Sequence, residues 1–99
     1  MAQQLIGQFD IPEDMAKELS DLLARKTIKE DVMVNLAKNK NFEEFEVVEN
    51  DLIPVIQKIE AIKNSITANY VPDEYKSEKY VWNYDGYEVD GCTIHIYTA

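Results

Sequence analysis

The chain predicts an α+β fold: helices at about 12–39 and 42–69, packed on a small C-terminal antiparallel β-hairpin or three-stranded meander. Three observations predict it. Apolar residues recur at helical spacing from Met15 to Ile66. Two Asp-Gly pairs, Asp85-Gly86 and Asp90-Gly91, punctuate the last seventeen residues. Around those pairs apolar and polar side chains alternate. Ninety-nine residues with 45% apolar content, three Gly and three Pro fit one globular domain spanning 1–99. Its helical part covers about 10–69 and its β part about 79–98.

Residues 1–11 alternate loosely, with Leu5, Gly7, Phe9 and Ile11 opposite Gln4, Ile6, Gln8 and Asp10. That pattern allows a short N-terminal strand. A helix start follows: Asp10 can cap, Pro12 suits a first turn, and Glu13 and Asp14 favour the positive end of the helix dipole. Met15, Leu19, Leu22 and Leu23 form the apolar stripe. Thr27 and Glu30 have the spacing of a capping box. Either a helix restarts there, carrying Ile28, Val32, Met33 and Leu36, or one long helix continues.

Asn41 and Glu44 repeat the capping spacing after the NKNF interruption. The strongest periodic signal then begins: Phe45, Val48, Leu52, Val55, Ile59, Ile62 and Ile66, in alternating steps of three and four, widened by Ile56. Pro54 interrupts it, since an interior proline costs a helix about 3 kcal/mol. With Asp51 as an N-cap, a short acidic helix near 42–49 followed by a kink or restart is one reading, and a continuous helix is the other. Tyr70 and VPDEYKSEK form a polar connector.

With Asp90-Gly91 at a hairpin tip, Val89 faces Cys92 and Tyr87 faces Ile94. With Asp85-Gly86 at a second tip, Tyr84 faces Tyr87 and Trp82 faces Val89. Tyr80, Trp82, Tyr84, Tyr87, Val89, Cys92, Ile94 and Ile96 then share one side. Val81, Asn83, Glu88, Thr93, His95 and Tyr97 share the other. A single longer hairpin about Asp90-Gly91, with Asp85-Gly86 as a bulge, accounts for the pattern as well. The glycines are therefore read as serving the fold.

Catalytic and metal signatures are missing from the pattern. Cys92 and His95, three apart in a strand, point to opposite faces and cannot act as nucleophile and base. There is no zinc spacing, phosphate loop or nucleophile elbow, and the acids around Gly91 lack the order of a calcium loop. No catalytic residue, metal ligand or cofactor is expected. MAQQLIGQFDIPED lacks the marks of a signal peptide, no stretch is apolar enough to span a membrane, and the lone cysteine suits a reducing compartment. A cytoplasmic protein is expected. The weight of Ile, Lys, Asn and Glu fits a low-GC bacterial or phage source.

Net charge is −9, and the excess lies in residues 41–99, where twelve acids face four bases. This field opposes direct nucleic-acid binding and favours a basic partner protein. Tyr70, Tyr75, Tyr80, Trp82, Tyr84, Tyr87 and Tyr97 crowd the last thirty residues, and such rings are enriched at interfaces. The leading expectation is a small acidic, non-enzymatic interaction module: an adaptor, an immunity-type inhibitor or an accessory subunit. Trp82, Tyr84, Tyr87 and Tyr97 would anchor its aromatic β face, and Glu43, Glu44, Glu46 and Glu49 would steer the partner. One alternative is a small-ligand binder with an aromatic pocket at a subunit boundary. Another is a structural homo-oligomer pairing through the 45–66 helix or the last strand, in which Ile59→Asp would split the assembly.

Overall fold

A computed structural model describes residues 3–99; Met1 and Ala2, at the start of the stretch read as an N-terminal strand, lie outside the described residues. In order, the elements are β1 (Leu5–Asp10), α1 (Glu13–Lys38), α2 (Phe42–Asn69), a 3-10 turn (Asp73–Tyr75), β2 (Tyr80–Asn83), a single helical turn α3 (Tyr87–Asp90) and β3 (Thr93–Thr98). Two long helices pack on a three-stranded antiparallel sheet, and the N-terminal strand is part of it. No helix among the described residues is long and apolar enough to cross a membrane.

Both helices are continuous. Pro12, rather than Asp10, occupies the N-cap of α1, and its carbonyl accepts from the Ala16 amide at 2.9 Å. Asp10 instead accepts a hydrogen bond from the Thr93 hydroxyl across the sheet, at 2.8 Å. Thr27 does not restart the helix. Its hydroxyl donates to the Leu23 carbonyl at 3.1 Å, one turn back, a bond available only if the helix already runs through this point. Nor does Asp51 begin a new helix, because α2 carries Pro54 in its interior. Asn50, whose carbonyl loses its amide partner, is exposed to water, which limits the penalty of the missing bond. Lys40 adopts a left-handed conformation, φ 57°, and closes the short turn between α1 and α2.

That turn makes the helices antiparallel neighbours. In α1 the seam reads Met15, Leu19, Leu22, Lys26, Lys29, Met33, Leu36, all buried or half-buried. The α2 stripe from Phe45 to Ile66 has the same alternation of three and four and faces it. The expectation that this stripe pairs with a second copy is therefore corrected: it is occupied by α1. Ile59 is 3% exposed, so Ile59→Asp would unfold the single chain.

The sheet order is β1-β3-β2, with the last strand in the centre. Tyr97 pairs with Leu5 on one side and Val81 on the other; His95 likewise joins Gln8 and Asn83. Because β3 is paired on both flanks, it has no free edge to offer a neighbouring copy, which corrects that expectation too. The expected C-terminal antiparallel pair is present, β2 against β3, but the three-stranded meander and the two-residue turn at Asp90-Gly91 are corrected. Trp82 pairs with Ile96, not Val89, and residues 84–92 form a long connection containing α3. The physical reason is local: the amides of Asp90 and Gly91 bond back to Gly86 and Tyr87, turning the segment into helix where a strand was expected. Within the true strands the faces divide as expected, with Trp82, Ile94 and Ile96 inward and Val81, His95 and Tyr97 outward. In β1 a bulge at Ile6 shifts the register. Leu5 thereby lands opposite Tyr97 on the outer face, 54% exposed.

The core gathers where sheet and helices overlap. Leu19, Ile66, Ile94 and Ile96 are the largest fully buried side chains. In α1 full burial stops at Leu22, and in α2 it begins at Leu52. The helical hairpin, about 40 Å long at 1.5 Å per residue, outreaches the sheet. Beyond Leu52 its far half is held by the half-buried side chains of Lys29, Met33, Leu36, Phe45 and Val48. Leu19→Ala should lower unfolding stability by about 2–5 kcal/mol through lost burial and a cavity. Pro54→Ala should raise it by about 1–3 kcal/mol by restoring one helix bond. Urea unfolding monitored by circular dichroism measures both.

Candidate docking surfaces

The Asp-Gly segment is tied down from several directions. Gly86 has φ 125° and ψ 166°, a conformation open essentially to glycine, and a Cβ there would approach the Ser20 hydroxyl to 3.2 Å. Ser20 needs that space, since it accepts the Tyr87 amide at 2.9 Å. Asp90 accepts the Asp85 amide at 2.7 Å, closing the loop on itself. The Tyr84 hydroxyl donates to the Gly91 carbonyl at 2.6 Å. Burial, foremost, raises its pKa above the usual phenol value and keeps it a donor.

Tyr87 anchors the loop to α1. Its hydroxyl donates to Glu13 at 2.9 Å, Lys17 pairs with Glu13 at 3.0 Å, and the Lys17 ammonium lies 5.3 Å from the Tyr87 ring centroid. The Lys17 hydrogen bond first, then that of Tyr87, then the lysine charge, hold the Glu13 carboxyl below its ordinary pKa. The same hydrogen bond from the other side raises the Tyr87 hydroxyl.

The four aromatic anchors read from sequence are thus dispersed. Tyr84 is a core residue, 7% exposed, and presents no ring surface to a partner. Trp82 lies on the inner face, its indole 3.4 Å from the Thr67 hydroxyl. Tyr87 is half-buried against α1. Tyr97 alone of the four looks out from the sheet, between Leu5 and Val81. Tyr75 and Tyr80 stack edge to face at 5.3 Å beside the core. Cys92 packs on the core cluster. On the outer face His95 Nε2 sits 3.7 Å from Asp90, longer than a good hydrogen bond, and its Nδ1 is buried with no partner among the described residues. No group of three His, Cys, Asp or Glu among the described residues could hold a metal ion.

Glu43, Glu44, Glu46 and Glu49 are all exposed on the far half of α2, and among the described residues none of them pairs with a cation. Beside them lies a feature the sequence reading missed. Glu30, Met33, Val34 and Ala37 of α1 and Phe45 and Leu52 of α2 line an open groove of about 310 Å³. Val34, Phe42 and Ile53 are 52%, 64% and 47% exposed. A signal was present: apolar residues at Val34 and Ala37, and at Phe42, Ile53 and Ile56, form second stripes flanking the seam. They are unnecessary for a two-helix contact.

Glu13 should titrate below the ordinary carboxylate range by NMR, and Tyr87→Phe should move its midpoint upward. With the folded pKa lowered, the contribution of this carboxylate to stability is present above its unfolded pKa and disappears as pH falls through the lowered value. Gly86→Ala should cost of order 1–3 kcal/mol through backbone strain, read as a lowered urea midpoint.

Comparison with family models, curated proteins and solved structures found no match to this chain.

Proposed function

We propose that the protein is a small non-enzymatic interaction module that docks a partner protein bearing a basic surface. One observation carries this reading: the helical hairpin extends beyond the sheet, and its far half combines exposed apolar side chains with four unpaired glutamates. Charges of one sign beside an apolar patch steer an oppositely charged partner and then exclude water from the contact. The outer sheet row Leu5, Tyr97 and Val81 offers a second, smaller contact. The lone cysteine suits a reducing compartment, and we place the module in the cytoplasm.

Affinity capture from the source cells tests the reading. The wild-type chain should retain a basic protein at 0.15 M salt (about an 8 Å screening length) and lose it at 1 M (about 3 Å). The triple variant Glu43→Lys, Glu46→Lys, Glu49→Lys should fail to retain it, and Tyr97→Ala should weaken retention. A charge-reversed triple variant that retains the same protein as well as wild type would sink the reading.

A further inference from the structure

Three features fix the shape of what the far half of the hairpin can accept. In α1 the flank beside the seam reads Leu23, Thr27, Glu30, Val34, Ala37, in steps of four and three. In α2 the corresponding flank carries Phe42, Glu49, Ile53 and Ile56. Because the helices are antiparallel, these two flanks open on the same side of the hairpin. The sheet and its loop occupy that side at the near end, through Trp82 on Thr67, Tyr84 near Ala16 and Tyr87 on Ser20. Past the loop no described residue covers that side.

The bare channel runs along α1 from Thr27 to Lys38, about 18 Å at 1.5 Å per residue, or some three turns of helix. Its walls are two helices whose backbone groups are already paired within themselves. A strand laid there would find no ladder partners for its amides and carbonyls. A helix brings its own hydrogen bonds and sets its side-chain ridges between those of its neighbours. The groove between Val34 and Ala37 on one wall and Phe45 and Leu52 on the other is the slot for its apolar stripe.

Charge selects among helices. Between Thr27 and Gln57 the chain has seven acids and three bases. Lys29 is half-buried at a seam position, and Lys38 and Lys40 sit at the hairpin turn. Glu30 lines the groove itself, and Glu49 shares the α2 flank with Ile53. A second copy of this chain would bring the same acidic excess and be repelled.

We propose that this groove receives one amphipathic helix of a partner protein, apolar along one stripe and rich in lysine or arginine at its flanks, which completes a three-helix bundle. The inference rests on the docking reading above and specifies the chemistry and secondary structure of the partner at that surface.

The test uses the full chain and two synthetic peptides of about sixteen residues, long enough to cover three to four turns. One has leucines at helical i, i+3, i+4, i+7 spacing with lysines elsewhere; the other replaces every lysine with glutamate. Calorimetry should show one lysine peptide bound per chain, and circular dichroism should show it gaining helix on binding. The glutamate peptide should not bind. Val34→Asp and Ile53→Asp, both at exposed sites, should each weaken the lysine peptide at least tenfold, while Asn64→Ala, exposed at the near end of α2, leaves it unchanged. The aspartates make the chain more acidic, so purely electrostatic attraction would hold or tighten in these variants, and that result overturns the proposal. A chain that sediments as a dimer and becomes monomeric with Val34→Asp assigns the groove to a second copy and also overturns it. If the lysine peptide fails to bind while the glutamate triple variant still loses its captured partner, the helix inference falls and the docking reading survives.

Discussion

Ile94 and Ile96 are the pins of this structure. They stand in the central strand, fully buried, with β1 on one side, β2 on the other and the helical hairpin beneath. Neither outer strand touches the other, so without β3 there is no sheet and the near end of α1 and α2 loses its cover. The strand that joins everything lies at the opposite end of the sequence from β1. Packing of Leu19 and Ile66, far apart in the chain, therefore depends on residues that close a loop of some ninety positions. Contacts of that range make folding slower than the helical content alone would suggest.

The helices impose a different economy. Their seam repeats almost without fault from the sheet to the hairpin turn, yet only its near half is fully buried. Two helices alone cannot cover each other's flanks, because an apolar stripe wide enough for a globular core needs a third surface. Near the sheet, Trp82 and Tyr84 supply it. Farther out, nothing within the described residues does, and Val34, Phe42 and Ile53 remain in water. Lys26 and Lys29 sit in the seam at the point where this change occurs, each half-buried. Their long stems cover apolar surface while their charges reach solvent.

Much of this was legible in the sequence, and the parts that were not share a cause. The helix spans could be read within a residue or so, because a seven-residue apolar repeat is a local signal. Continuity through Thr27 and Pro54 was not decided by local residues: each has chemistry suited to a helix start, and the continuous seam overrides it. Strand faces were legible from alternation. Strand order was not, since an Asp-Gly pair signals a turn equally well whether it closes a hairpin or, as Gly91 does, ends a helical turn with φ 60°. The aromatic cluster misled for a related reason. Tyr84 and Trp82 have the composition of an interface, but only the fold shows that their surface is turned toward α1 and α2. The groove was hidden in the opposite way, its residues falling on the margin of a stripe whose centre explained the helix already.

The central placement of β3 also orders events during synthesis. Both long helices are synthesised before Ile94 and Ile96, so a chain whose helices have paired without β3 leaves the sheet-facing side of the hairpin uncovered. A nascent chain in this state displays Leu19 and Ile66 alongside Val34 and Ile53 as one continuous apolar strip, flanked toward its tip by acids. Such a strip is a hazard for self-association, and the shared negative charge of the chain opposes it.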